Sequence, residues 1–232
     1  FSLSRGLGDV YKRQISESVY SQIDLHKKYG GVVPELASRD HCEKIIDVFN
    51  DGIHGVDIHD IDRIAYTAGP GLLGALIVGE SFAQGLAYAL NKPLIPVNHL
   101  EAHFLSPFLD LPEIQYPFTS LLVSGGHSLI VDVKDFEDYE IIGQSLDDAV
   151  GEAFDKVGKL LQLPYPGGPH IEKAAKNGDP KKYDFPRPMK HSGDLNLSFS
   201  GLKTAVLYAT KHLDINDERS NISASFQAAV ID

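Results

Sequence analysis

The chain has 232 residues, 43% of them hydrophobic and 23% charged, a globular composition with room for one large core or two small ones. Its one cysteine, Cys42, excludes an internal disulfide and a cysteine-built zinc site and points to a reducing, cytoplasmic setting. The net charge of −11 argues against nucleic-acid binding by the surface as a whole, while leaving room for a local basic patch or a basic partner; no apolar run approaches the ~20 residues of a membrane span, and no secretion-signal core is evident.

Residues 1–14, FSLSRGLGDVYKRQ, show no clean helical or strand period and read as a non-native leader without function. Residues 18–25 mix polar and apolar side chains as a strand running into a turn, punctuated by Tyr29-Gly30-Gly31. A helix is predicted over 35–50, with Leu36, Cys42, Ile45, Ile46 and Phe49 on one face. A short buried strand at 64–67, a tight turn at Ala68-Gly69-Pro70-Gly71, a helix over 72–90 and a strand at 93–97 give a parallel βαβ unit. Beyond the prolines 107, 112 and 117 the pattern changes. Strands at 118–123 and 128–133 flank Ser124-Gly125-Gly126-His127, a third strand covers 139–144, and the three are expected to be antiparallel. Helices are predicted at 149–161, 169–177, 199–212 and 217–232. The chain stops inside the apolar helix SASFQAAVID, which reads as a truncated end.

VNHLEAHFLSP places His99 and His103 four residues apart directly after a strand. On a helix, residues at this spacing lie ~5–6 Å apart at Cβ, so both imidazoles can reach one metal. Ligands in open α/β sheets sit beyond the carboxyl ends of strands, where this segment lies. Surface histidines are the plainer reading of the spacing alone. A zincin protease needs H-E-x-x-H, whereas Glu101 stands two residues after His99, off the face that holds the pair. Two histidines also leave a metal shell that needs a third ligand from elsewhere.

LLVSGGHSLIV reads as a hairpin whose glycine tip can double as an anion cradle, with Ser124 and His127 as further donors. YPGGPHIEKAA sets Gly167-Gly168-Pro169 at a helix start, as a plain cap or as a bare N-terminus open to an anion. Ala75, Gly79, Ala83 and Ala87 form a small-residue stripe that admits a second helix, from within the chain or from a partner. Glu152, Asp155 and Lys156 read as exposed charge, and Asp155 becomes a ribose acceptor only if its helix borders the glycine loops. LSFSGLKTAV opens a helix with a serine cap, and its Lys203 faces either a phosphate or water.

Together, GGVVPELASRDH, AYTAGPGLLGALIVG, VNHLEAHFLSP, LLVSGGHSLIV, DDAVGEAFDKVGKLLQLPYPGGP and FSGLKTAV resemble the TsaD family, formerly Gcp, from about residue 15 onward, in the bacterial or organellar wording. The resemblance implies the actin-like (ASKHA) ATPase fold, an α/β class with two lobes: residues 15–112 as the N-terminal lobe without its first strands, and 113–232 as the start of the second, with a helical insert and its C-terminal part missing. It implies transfer of a threonylcarbamoyl group from threonylcarbamoyl-AMP to N6 of adenosine 37 in tRNAs reading ANN codons, in the cytoplasm. His99 and His103 match the metal ligands, for one divalent ion with Fe2+ placed ahead of Zn2+. Leu122, Val123, Ser124, Gly125 and Gly126 match the substrate loop, with His127 just beyond it. Asp155 and Gly168 match contacts to the nucleotide, ATP or threonylcarbamoyl-AMP, and Glu172 falls where some members carry an acid at the ribose. The implied partners are tRNA, a TsaB-like paralogue near the small-residue stripe, a TsaE-like ATPase and a TsaC-like synthase that supplies the adenylate, with no membrane.

The departures from the family are a phosphate turn missing at the start, and a glycine-rich loop and a metal-binding aspartate missing at the end. They predict weak or no transfer by this chain alone. A metalloprotease, a non-catalytic TsaB-like subunit and a sugar kinase are the rival readings. Motif order, the presence of the histidine pair with SGGH, and the lack of a sugar-binding signature stand against them in turn.

Overall fold

The structure, a computed structural model, describes residues 2–8, 14–111, 114–211 and 213–232. It is mixed α/β and divides into two compact units, Phe1–Glu113 and Ile114–Asp232.

The first unit opens with two antiparallel strands, β1 (Ser2–Gly8) and β2 (Gln14–Ser21). Strand pairing thus reaches into the stretch in which no period was evident in the sequence; residues 9–13 of the expected leader lie outside the described ones. A short helix α1 (Ile23–Lys27) leads to α2 (Pro34–Gly52), which starts on a proline, a residue suited to the first helical turn. Buried polar groups tie the two together. The Gln22 amide donates to the Ala37 carbonyl at 3.2 Å and to Asp40 Oδ2 at 2.6 Å, and His26 Nδ1 accepts the Val33 N–H at 3.2 Å. Helix α2 buries Ala37, His41, Ile45, Val48 and Gly52. This corrects the expected face: Cys42 is exposed and Ile46 is 59% exposed. The inward stripe is one position over because the small Ala37 and the hydrogen-bonded His41 pack there.

Strand β3 (Ile64–Gly69), helix α3 (Leu73–Leu90) and strand β4 (Leu94–Asn98) form the expected parallel βαβ unit. Of β3 only Ile64 is buried, so this strand is less enclosed than expected. Helix α3 ends at Asn91 in the left-handed region, a standard C-terminal stop. Ala75, Ala83 and Ala87 turn inward, and Ala83 and Ala87 pack with Ile64. Gly74 lies so close to Ser38 of α2 that a Cβ there would collide with it. Three of the four stripe residues are thus used inside the unit, while Gly79 has open space at its Cβ position; beside them Phe49 and Phe82 meet edge to face at 5.1 Å. By length and mean hydropathy of 1.3, α3 does reach what a membrane span requires, contrary to the reading of the apolar runs. Only 17% of this helix is buried within the structure, with Leu73, Ile77 and Tyr88 exposed. The unit continues through α4 (His99–Leu105) and α5 (Pro107–Asp110).

The second unit is built on the antiparallel sheet β5 (Phe118–Val123), β6 (Ser128–Asp135) and β7 (Asp138–Gln144), in the expected order. Helices α6 (Val150–Leu160), α7 (Gly167–Ala175), α8 (Ser200–Thr210) and α9 (Ile215–Ile231) follow. Val157, Leu161, Ile171, Leu202, Val206, Ile222 and Phe226 are fully buried among these helices and form the core. Phe154 meets Phe226 edge to face at 5.0 Å. This core fixes which face of α6 is left for the loops described next.

Candidate functional site

The candidate residues fall into two groups, one in each unit. In the first unit, β4 runs straight into α4. Asn98 ends the strand and caps the helix, its side-chain oxygen accepting the N–H of Leu100 at 2.8 Å and of Glu101 at 3.4 Å. This cap puts His99 and His103 on successive turns, with ring centroids 4.5 Å apart and planes at 73°. His103 is exposed and His99 half-buried, so the pair is within reach of solvent. Two imidazoles this close suit two positions of one metal shell. No group of three metal-binding side chains occurs among the described residues, so the pair supplies part of a shell.

In the second unit both glycine bends rest on α6. The hairpin Ser124–His127 is closed by the Ser124 N–H donating to the His127 carbonyl at 2.9 Å. Ser124 Oγ accepts the backbone N–H of His127 at 3.0 Å and of Gly126 at 3.3 Å. Gly125 and Gly126 are exposed at the tip, Leu122 is buried beneath it, and Val123 is 53% exposed. The start of α6 is capped from this hairpin: Val150 N–H donates to Ser128 Oγ at 2.9 Å, and Gly151 N–H to the Ser124 carbonyl at 3.2 Å. A Cβ on Gly151 would lie 2.7 Å from Gly125 Cα, so glycine is required for this approach.

The second bend meets α6 further along. The Gly167 N–H donates to Asp155 Oδ1 at 2.7 Å, and a Cβ on Gly158 would lie 2.8 Å from Gly167 Cα. Gly151, Asp155 and Gly158 stand at i, i+4 and i+7, one stripe of the helix. The two bends are thus held along one face of α6, about 10 Å apart along its axis. Burial raises the Asp155 carboxyl above its ordinary range; the Gly167 N–H opposes this and Glu152 adds to it. Tyr165 is likewise raised, by burial and then by Asp155. Of the two readings of the α7 start, plain cap or bare N-terminus, the first N–H fits the cap, because Asp155 occupies it. Gly168, next in line, has nothing within 4 Å of the position a Cβ would take, which leaves open space over the backbone. Glu172 is exposed one turn further on.

Asp147 and Asp148 were not singled out in the sequence, yet they organise the neighbouring loop. Asp147 Oδ1 accepts the N–H of Phe199 at 2.8 Å and of Ser200 at 3.2 Å; its Oδ2 accepts the hydroxyls of Ser198 at 2.6 Å and Ser200 at 2.8 Å. The cap of α8 is therefore this distant aspartate, and the serines donate to it where a serine cap was expected. Burial pushes the Asp147 carboxyl up, but these four hydrogen bonds outweigh it and leave the pKa at about 2. Asp148 lies 2.8 Å from Lys156 Nζ and 3.5 Å from Lys203 Nζ, so Lys203 faces a carboxylate, and Lys156 also pairs with Glu152 at 2.7 Å. The Asp-Asp pair immediately before a helix start was the one available signal for this role.

The family model for TsaD, tRNA N6-adenosine threonylcarbamoyltransferase, matches residues 13–232. The chain belongs to the TsaD family. Among its relatives, the tRNA N6-adenosine threonylcarbamoyltransferase of Bordetella petrii is 49% identical over 94% of this chain and 65% of its own length. Those of Ralstonia pickettii and Dichelobacter nodosus are 48% and 51% identical, over 97% and 94% of this chain and 67% and 65% of their own. The chain thus spans about two thirds of the length of these TsaD relatives. A solved structure, YeaZ from Pseudomonas aeruginosa, is similar with a TM-score of 0.40 at 15% identity, over 60% of this chain and 58% of that one, a likeness too slight to fix a fold.

Proposed function

We propose that this TsaD-family protein transfers the threonylcarbamoyl group from threonylcarbamoyl-AMP to N6 of adenosine 37 in tRNAs that read ANN codons. The observation that carries the reading is the family match along residues 13–232, which includes the histidine pair and both glycine bends. The adenine N6 attacks the carbamoyl carbon and forms the new C–N bond. The bond from that carbon to the phosphate oxygen breaks, AMP leaves with its electron pair, and N6 gives up a proton. An exocyclic amine is a weak nucleophile, so placement supplies much of the rate. In the Ser124-Gly125-Gly126 loop the N–H of Gly125 would steady negative charge as it develops, those of Ser124 and Gly126 being held by the His127 carbonyl and Ser124 Oγ; Leu122, Val123 and His127 would frame that loop, and Gly168 would let the nucleotide lie close to the backbone. Asp155, through the oxygen not engaged by Gly167, and Glu172 would accept hydrogen bonds from the ribose.

His99 and His103 would hold one divalent ion, iron(II) ahead of zinc, which when bound polarises an oxygen as a Lewis acid. The reading extends to the actin-like two-lobed fold, a cytoplasmic location, and the partners of this chemistry: tRNA, a TsaB-like paralogue, a TsaE-like ATPase and a TsaC-like synthase. With Ala75, Ala83 and Ala87 buried inside the unit, Gly79, which has open space at its Cβ position, is the stripe residue a paralogue would approach. The test supplies labelled threonylcarbamoyl-AMP, iron(II) and an unmodified tRNA transcript, and counts label on the tRNA. Label that falls at least tenfold in both His99→Ala and His103→Ala, together with loss of metal binding by titration calorimetry, is the expected result; with only part of a metal shell among the described residues, wild-type turnover is expected to be slow. Metal binding and label unaffected by both substitutions would contradict it.

A further inference from the structure

The acidic chain carries one basic stretch. Between residues 172 and 190 there are six cations (Lys173, Lys176, Lys181, Lys182, Arg187 and Lys190) and three carboxylates (Glu172, Asp179 and Asp184), a charge of +3 against −14 for the rest of the −11 total. This stretch comprises the end of α7 and a strap that runs along α9. Gly178 sits directly on the Ser220 backbone, where no side chain fits. Asp179 N–H donates to Asn221 Oδ1 at 3.0 Å, the buried Ser225 hydroxyl donates to the Asp179 carbonyl at 3.0 Å, and Tyr183 N–H donates back to Ser225 Oγ at 3.2 Å. Phe185 is buried, and Arg187 reaches Asp232 at 3.0 Å. From Ser220 to Asp232 the strap follows α9 for about 18 Å.

This anchoring settles which cations remain available. Lys182 is taken by Glu218 at 2.7 Å, and Arg187 by Asp232 and Asp184. Lys173, Lys176, Lys181 and Lys190 are exposed and have no ion pair among the described residues. The Asp179 carboxylate accepts the Lys181 N–H at 2.8 Å and pairs with none of the four among the described residues, so it lowers the local charge without occupying a lysine. No large hydrophobic side chain between Leu146 and Leu195 is exposed. Protein interfaces rely on buried apolar and aromatic anchors, and the surface at Lys173, Lys176 and Lys181 offers none, Leu195 beside Lys190 being the one exposed large apolar side chain near the four among the described residues. Lysines held on a fixed backbone, without such anchors, suit phosphates, which set position and carry no sequence information.

We propose that the end of α7 and the strap along α9 form a docking surface for the sugar–phosphate backbone of the tRNA substrate, through Lys173, Lys176, Lys181 and Lys190. The proposal rests on the tRNA reading above and deepens it by saying where the nucleic acid lands. It also resolves the conflict between net charge and partner, because a few local phosphate contacts suffice where the remaining surface repels.

The experiment compares two charge-matched quadruple variants of the full chain by fluorescence anisotropy with an unmodified tRNA transcript over a salt series. One replaces Lys173, Lys176, Lys181 and Lys190 with Gln; the other replaces the exposed Lys27, Lys28, Lys159 and Lys211 with Gln. The proposal expects the first to lose at least tenfold in affinity at ~0.1 M salt, and to flatten the slope of log K against log salt by about 3, the loss of four phosphate contacts. The control should change less than threefold, and both variants should keep the wild-type melting temperature. Equal effects of the two variants, a wild-type chain that binds tRNA without salt dependence, or binding of poly-glutamate as tight as that of tRNA would each overturn it. Because this readout is binding, it can fail while the transfer assay succeeds, which separates this surface from the reaction itself.

Discussion

Asp147 shows how much one side chain that was given no role in the sequence reading can do. Its carboxylate gathers four hydrogen bonds from residues 198–200 and holds the start of α8 against the loop before α6. Replacing it with Ala should cost about 1 kcal/mol, the usual size of a helix cap, since solvent at this exposed position screens the charge. The pKa of about 2 lies below the unfolded value of 3.8, so the contribution is complete above about pH 4 and is lost as pH falls towards 2. Urea melts at pH 2.5 to 5 should show a gap between wild type and Asp147→Ala that closes on acidification. A gap that is constant with pH would mean that the carboxylate does not carry the cap. Sequence reading missed this residue because its partners are 51 to 53 positions away, and its one local signal, a place just before a helix start, points to α6 and not to α8.

At the scale of elements, α6 is the organising piece. Its core face buries Ala153, Val157 and Leu161, and its opposite stripe, Gly151, Asp155 and Gly158, receives both glycine bends. Gly151→Ala should push the Ser124–His127 loop away and destabilise the second unit by about 1–3 kcal/mol, the cost of overpacking. Gly79→Ala in α3 has open space at its Cβ and should gain up to about 1 kcal/mol from helix propensity. Chemical denaturation of the two variants checks the pair; equal effects would show that the close approach on α6 does not matter. Most elements were legible because period and punctuation agree: β3, α3 and β4 from the apolar runs about Gly69-Pro70, and β5 and β6 from the strands flanking Ser124–His127. The inward face of α2 was misread because apolarity was weighed above size, while Ala37 and a hydrogen-bonded His41 pack inward and Ile46 does not. Within the candidate site, the spacing of His99 and His103 and the hairpin were readable. The occupation of the first α7 N–H by Asp155 was not, because it depends on the packing of two helices.

For the molecule as a whole, charge and family membership have to be reconciled. A net charge of −11 and TsaD-family membership fit together under the proposals above, in which cations concentrated on one strap meet the tRNA and the glycine bends meet the acyl-adenylate. The same view separates the tasks of the two units: one presents paired imidazoles at the end of a parallel strand, the other presents two glycine bends on one helix face. The proposal turns on this helix face seating an adenylate, and Gly168 gives the cleanest access to it, because a Cβ there meets no atom of the described residues within 4 Å. The most direct measurement is the affinity of a non-hydrolysable threonylcarbamoyl-adenylate analogue, by calorimetry, for wild type and Gly168→Val. The account predicts at least a tenfold loss of affinity with an unchanged melting temperature. Equal affinity in the two proteins would contradict it.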